Sequence, residues 1–259
     1  MKQGVKRYLR AAQTHFPFVL PLKFGTYNAC TKRLGMFMDR DFRALARLQP
    51  VGLALDIGGN WGQSVHALKF CCKPRQIVTF EPNSELAGRL HKRFARDRSV
   101  EVETCALSHE EGTFRFYIPR YRNFLFDGLS SLDKTEAYGW LNERRMARFD
   151  ASKLRIEEHE VPVKKLDDYN LAPDVVKIDV QGAEHAVVRG GIRTFRTYRP
   201  ATIVESPSAE LIGEFAAFGM APYYFDGRTL KAHKGRWKNS IFLTQEQASR
   251  VAGYRTLVS

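Results

Sequence analysis

The chain has 259 residues, 44% apolar, 27% charged and 12% aromatic, enough for one sizeable folded domain or two small ones. It holds no run of eighteen apolar residues, which excludes a membrane-spanning helix. The formal charge of +13 points to an acidic partner, such as nucleic acid, an anionic membrane face or an acidic glycan; a solvated basic face accounts for it equally well.

Residues 1–50 read as a basic, aromatic-rich, partly helical extension, with ten lysines and arginines against Asp39 and Asp41 before Pro50. Its start, with Lys2, Lys6, Arg7 and Arg10 ahead of "FPFVLPL", loosely mimics a secretory signal. Seven apolar-patch residues that include two prolines, and no small-x-small cleavage site, argue against one. A helix is expected near "DRDFRALARLQP", where Phe42, Leu45 and Leu48 share a face. Cys30, Cys71, Cys72 and Cys105 form no CxxC pair and no metal-ligand spacing with histidines. They read as buried free thiols of a reducing cytoplasm, and no metal is expected.

Val51 to residue 259 read as a single catalytic domain, to which residues 1–50 are an N-terminal extension. "VGLALDIG" reads as a strand, a helix opens near Asn60, and "QIVTFEP" is a second strand followed by a helix over about 84–95. "SVEVETCAL" is a third strand. Strands interleaved with helices predict an α/β fold with a doubly wound, mostly parallel sheet. "GTFRFYIP" then alternates like a half-exposed strand, "RNFLFDGLSSLDK" reads as a loop and "EAYGWLNERRMARF" as a polar helix. "EEHEVPVKKLDDY" is another strand, after which "DVVKIDV", a helix over about 183–197 and "ATIVESP" resume the parallel pattern. "APYYFDG" and "NSIFLT" are expected to pair as an antiparallel C-terminal hairpin across a basic loop.

In open α/β sheets ligands bind beyond the carboxyl ends of the strands. The first such loop, "LDIGGNWGQS", lets a ligand approach the backbone at Gly58, Gly59 and Gly62. It is not GxGxxG, and Asp56 before the glycines would repel a pyrophosphate while suiting an amino group or a sulfonium. Glu81, at the end of the second strand in "TFEP", can accept both hydroxyls of a ribose. An Asp-x-Gly-x-x-x-Gly loop with a strand-end Glu describes an S-adenosylmethionine site. "DVVKIDV" raises a different question, because a strand buried on both faces carries Lys177 and Asp179. Strand alternation puts them on one side, so they can enter the same cleft, or else they form a structural ion pair. Asp179 is the first candidate for base or acceptor orientation, with Lys177 beside it. Glu205 and Glu184 are supporting carboxylates, although Glu184 in a first helical turn is explained as well by the helix dipole.

The stretches "ALDIGGNWGQS", "VTFEPNSELAGRL", "CALSHEEGTFRFY", "GLSSL", "VPVKKLDDY", "DVVKIDVQGAEHAVVRGG" and "RPATIVES", in this order over roughly residues 39–206, resemble the FkbM-type S-adenosylmethionine-dependent methyltransferases, and "NSIFLT" matches the usual tail. "KIDVQGAE" is the most specific; Gln181 stands where the family usually has Glu. The resemblance implies a Rossmann-like class I methyltransferase fold and methyl transfer to hydroxyl oxygens, often on sugars or polyketide-like products. It also implies cofactor contacts at Asn60, Pro82, Ala106, Ser130 and Ser131, beside Asp179, with Asn239 a weaker candidate.

The expected activity is O-methylation of a hydroxyl on a sugar of a glycan or glycolipid precursor, the acceptor being an acidic or lipid-linked saccharide. Methylation of an RNA ribose is the alternative prompted by the charge; it would want a Lys-Asp-Lys-Glu set, for which no motif supplies the second lysine. The absent GxGxxG argues against a nicotinamide-dependent oxidoreductase, and intact Asp56, Glu81 and Asp179 argue against a non-catalytic binding module. Residues 1–38 are candidates for peripheral contact with the inner face of a membrane, for covering the cleft, or for an oligomer contact.

Overall fold

The computed structural model describes residues 2–16, 18–139, 141–233 and 238–253. Two helices come first, α1 (Lys2–Gln13) and α2 (Val19–Leu34), then a short α3 (Asp41–Leu45) that runs into a 3-10 turn. Phe42, Leu45 and Leu48 turn one face inward, as their spacing predicts, and pack in the same core as Ala54, Val65 and Leu68. Next come β1 (Leu53–Ile57), α4 (Gln63–Cys71), β2 (Gln76–Phe80), α5 (Ser84–Phe94) and β3 (Val100–Glu103). Asn83 begins α5 as its N-cap, accepting the amides of Glu85 and Leu86 at 3.0 and 3.3 Å.

The chain then leaves the main sheet. The strand expected over "SVEVETCAL" divides: β3 lies along β2, while β4 (Ala106–Leu107) joins a second sheet. The cause is burial. Val100 to Glu103 lie at a partly exposed edge, whereas Ala106 and Leu107 are buried, Ala106 among Val161 and Val163. That second sheet has the order β4-β7-β5-β6, with β5 (Gly112–Tyr121), β6 (Phe124–Leu125) and β7 (Leu154–Lys164). Of the polar helix expected over 136–149, the structure shows only α6 (Lys134–Gly139). Beyond it the Asn142 side chain accepts the Arg144 amide and makes a turn instead.

The parallel pattern resumes with β8 (Val175–Ile178), α7 (Glu184–Arg189), α8 (Ile192–Tyr198), β9 (Ala201–Glu205) and α9 (Ala209–Ala217). The single helix expected over 183–197 is broken at Gly190-Gly191. There the chain passes so close to the second sheet's entry that a Cβ on Gly190 would stand 2.0 Å from the Ser108 carbonyl oxygen. The Gly190 carbonyl also accepts the Asp167 amide. Last come β10 (Ala221–Phe225), β11 (Leu230–Ala232), β12 (Asn239–Leu243) and α10 (Gln245–Gly253). β10 and β12 pair antiparallel as expected, with β11 added outside β10; residues 234–237 of the basic loop lie outside the described residues.

The main sheet runs β11-β10-β12-β9-β8-β1-β2-β3, parallel from β9 to β3. Alternation sorts its side chains into two cores: Ala54, Ile77 and Val175 on one face, Leu55, Val78 and Val176 on the other. Burial on both faces is why these strands read as unbroken apolar runs. β8 sits beside β1 at the centre of the parallel part, so the carboxyl ends of β1, β2, β8 and β9 open on one edge.

Candidate active site

The glycine loop after β1 is shaped by close backbone approach. The Gly58 and Gly59 amides both donate to the Phe80 carbonyl at 3.0 Å, and Gly58 has φ of +91°. A Cβ on Gly58 would stand 2.0 Å from the Asp179 carbonyl oxygen, so only glycine lets the β1 and β8 exits touch. The Asn60 amide donates to Glu81 Oε2 at 2.7 Å, and the Asn83 amide donates to Glu81 Oε1 at 2.9 Å. Each Glu81 oxygen thus keeps lone-pair capacity for a further donor. Burial pushes the Glu81 carboxyl up to about 7, against the pull of these two amides.

Lys177 answers for both roles the sequence left open. Its Nζ donates to the Gly58 carbonyl at 2.8 Å and lies 3.5 Å from Asp56 Oδ1 and 3.7 Å from Asp179 Oδ2. Burial opposes its charge, but Asp56 and Asp179 outweigh burial and hold the ammonium above the usual lysine range. Asp56 is fully buried and accepts the Thr79 hydroxyl at 3.0 Å. It meets Lys177 and the sheet and is not among the residues that line the cavity.

Asp179 is held below the usual carboxylate range: burial works against its charge, but Lys177, a hydrogen bond from Glu205 and the Gln181 Nε2 donor at 2.8 Å prevail. Burial and then the bond to Asp179 push Glu205 up to about 7. Of the two carboxyls, Glu205 is the one that favours holding a proton and Asp179 the one that favours its charge. Lys238 Nζ, 3.7 Å from Glu205 Oε1 and 3.5 Å from Asp39 Oδ2, adds a second lysine to the cluster.

A cavity of about 370 Å³ opens over these strand ends. Of the residues singled out in the sequence, Gly58, Asn60, Glu81, Pro82, Ala106, Ser130, Lys177 and Asp179 line it. Asp56, Gly59, Gly62, Ser131, Glu184 and Glu205 do not. Gly62, at φ of +82°, starts α4, and Gly59 backs onto the Thr79 hydroxyl. The Ser131 hydroxyl donates to the Gln181 carbonyl at 3.1 Å. Glu184 accepts the Val180 and Gly182 amides, the helix-start role that competes with catalysis. Asn239 donates to Asp41 at 3.0 Å, outside the cavity wall, and His185 pairs with Glu214.

Two buried polar atoms of wall residues, Asn60 Oδ1 and Ser130 Oγ, have no hydrogen-bond partner among the described residues. Together with Glu81 they form a donor and acceptor set that fits the ribose and amino-acid ends of an adenosyl amino acid. Sequence reasoning offered residues 1–38 as a cover for the cleft without naming the side chains; Phe24, Tyr27, Phe37 and Met38, with Asp39 and Phe42, line one wall. α2 is held there by Phe24 stacked on Trp61, with centroids 5.1 Å apart, and by Asn28 donating to the Trp61 carbonyl at 2.8 Å.

A doubly wound, mostly parallel sheet with a glycine loop and strand-end carboxylates over one cavity defines a Rossmann-like methyltransferase fold. The family model of the methyltransferase FkbM domain matches residues 56–220, and the chain belongs to that family. No curated protein matches the chain. Among solved structures, the methyltransferase FkbM from Methylobacillus flagellatus KT is 13% identical with a TM-score of 0.46, over 83% of this chain and 47% of that one. The chain thus spans about half the length of that protein. A precorrin-6y C5,15-methyltransferase from Geobacter metallireducens GS-15 is 12% identical over 78% of this chain and 82% of its own, with a TM-score of 0.37. The C-terminal domain of a precorrin-6Y C5,15-methyltransferase from Rhodobacter capsulatus is 11% identical over 81% and 90%, with a TM-score of 0.34.

Proposed function

We propose that the protein transfers a methyl group from S-adenosylmethionine to a hydroxyl oxygen, the acceptor being a sugar of a glycan or glycolipid precursor. The observation that carries the reading is the cluster of Lys177, Asp179, Glu205 and Lys238 next to a cavity that also holds Glu81, Asn60 and Ser130. When bound, the donor supplies an activated methyl on a sulfonium, which departs as a neutral thioether. In this reading the ends of β2 and β1 would hold the nucleoside and the end of β8 would face the acceptor, an arrangement that the strand order β8-β1-β2 supports. Glu81 receives the ribose hydroxyls, with Asn60 and Ser130 offering further hydrogen bonds.

An alcohol is a poor nucleophile, so its proton must leave as the oxygen attacks. Asp179 takes that proton, and Glu205, once ionised, gives the pair room for it. Lys177 orients Asp179 and keeps it charged. Aromatic side chains Phe24, Tyr27, Phe37 and Phe116 give the wall apolar faces on which a sugar ring can lie.

A ribose hydroxyl of RNA is the second reading. It is favoured by Lys238, which supplies the second lysine that no sequence motif places. Transfer of labelled methyl to a panel of saccharides, with RNA alongside, separates the two. Label in saccharide that is unaffected by chelation and by ribonuclease is expected. Label confined to RNA would replace the saccharide reading, and label in neither would remove the O-methyltransferase reading.

A further inference from the structure

We infer that the α1–α2 segment docks the protein on an anionic lipid bilayer. Among the described residues thirteen large apolar side chains stand exposed, and ten of them fall between Val5 and Phe37. Val5, Tyr8 and Leu9 recur at helical spacing on one side of α1, and Phe16 and Phe18, in edge contact, and Leu22 add to them; all six are 52–69% exposed. Single exposed apolar residues are ordinary, but a concentration of this kind marks an interaction surface. α1 is fixed in place, since Arg7 and Arg10 donate to the carbonyls of Glu143 and Arg145 and Ala11 packs beside Leu141 and Met146.

Charge selects the occupant. Residues 1–38 hold seven lysines and arginines and no acidic residue. A second copy of the chain docked on this face by a twofold contact would set the same cationic segment against itself. RNA would engage the cations and aromatic rings but has no use for Val5, Leu9, Leu22, Leu34 and Met36, all exposed. An anionic bilayer takes both: headgroups are attracted by the segment's net positive charge, and the acyl boundary accepts the apolar side chains. No described helix is long and apolar enough to cross a membrane, so the segment lies in the interface. Phe37 is both exposed and part of the cavity wall, so the docking face reaches the candidate site. That an acceptor arrives lipid-linked rests on the methyl-transfer reading; the docking itself does not.

The test is sedimentation of the full chain with vesicles of phosphatidylcholine alone or with about a third phosphatidylglycerol. Binding to the anionic vesicles at least about tenfold tighter than to neutral ones, weakened by salt, is expected. The triple variant L9S/F18S/L22S, in residues that do not line the cavity, should lose about tenfold or more of that binding. Its unchanged affinity for S-adenosylhomocysteine and unchanged circular dichroism would show that it is folded. A second variant, F18W, should be quenched by brominated lipid beyond the wild type. A chain that stays in the supernatant with anionic vesicles overturns the proposal. So does vesicle binding that the triple variant retains in full, or an apolar-to-serine effect seen only on self-association or on RNA binding. Failure here leaves methyl transfer intact, because homocysteine-ligand binding is read separately.

Discussion

Lys177 has two carboxylates and one carbonyl within 3.7 Å, and their geometry assigns different work to each. Asp56 is buried behind the wall and neutralises it, while Asp179 faces the cavity. Replacing Lys177 by Met would leave Asp56 buried with no cation beside it, a loss of about 3–5 kcal/mol of stability on the scale of broken buried pairs. Urea unfolding of the variant checks this, and a change within about 1 kcal/mol would mean that the Thr79 and Ser64 hydroxyls suffice to hold Asp56. With the nucleoside site saturated, so that Glu81, also raised to about 7, does not intervene, Asp179 and Glu205 set the pH dependence. Glu205 is raised to about 7, so below pH 7 it increasingly holds a proton, and a proton taken by Asp179 then has no ionised partner to pass to. kcat/KM should therefore fall toward tenfold per pH unit below about 7 and level off above it. Asp179→Asn should lower kcat by about a hundredfold or more, with S-adenosylhomocysteine affinity little changed. A flat profile, or a variant defective only in binding, would move Asp179 from proton transfer to structure.

At the scale of elements, the strands that build the site were legible because each carries its chemistry at its own carboxyl end. β1 with Gly58, β2 with Glu81 and β8 with Lys177 stand where apolar runs give way to polar residues. Boundaries were less legible where a tertiary contact decides them: the kink at Gly190-Gly191 answers to Ser108 across space, and the break after Glu103 to the burial of Ala106 in another sheet. That residues 1–38 could cover the cleft was open from the sequence, but which α2 side chains do so was not, for the same reason. Phe24 and Tyr27 lie more than thirty residues before the glycine loop's partner residues, and their spacing says only that the helix has aromatic side chains. Phe24→Ala should cost about 1 kcal/mol of stability through the lost stack on Trp61 and raise acceptor KM about fivefold, a similar free energy. Thermal unfolding and steady-state kinetics read the two effects separately; an unchanged KM would remove α2 from the acceptor wall.

Across the whole molecule, one edge of a central sheet gathers residues spread from Phe24 to Lys238, and part of a cationic, apolar-faced N-terminal segment walls one side of the cavity there. The net charge was plain in the sequence, but its meaning was not. Only the fold shows that the cations of residues 1–38 accompany exposed apolar side chains and that the same segment walls the cavity. The most direct test of the account is calorimetry with S-adenosylhomocysteine at pH 8, on wild type and on Glu81→Gln, with NADH as the control. Wild type should bind the homocysteine ligand and not NADH. The Glu81→Gln variant should bind at least about tenfold more weakly, having exchanged an acceptor carboxylate for an amide at the ribose position. A folded wild type that ignores S-adenosylhomocysteine, or a Glu81→Gln variant that binds it as well as wild type, would contradict the site described here.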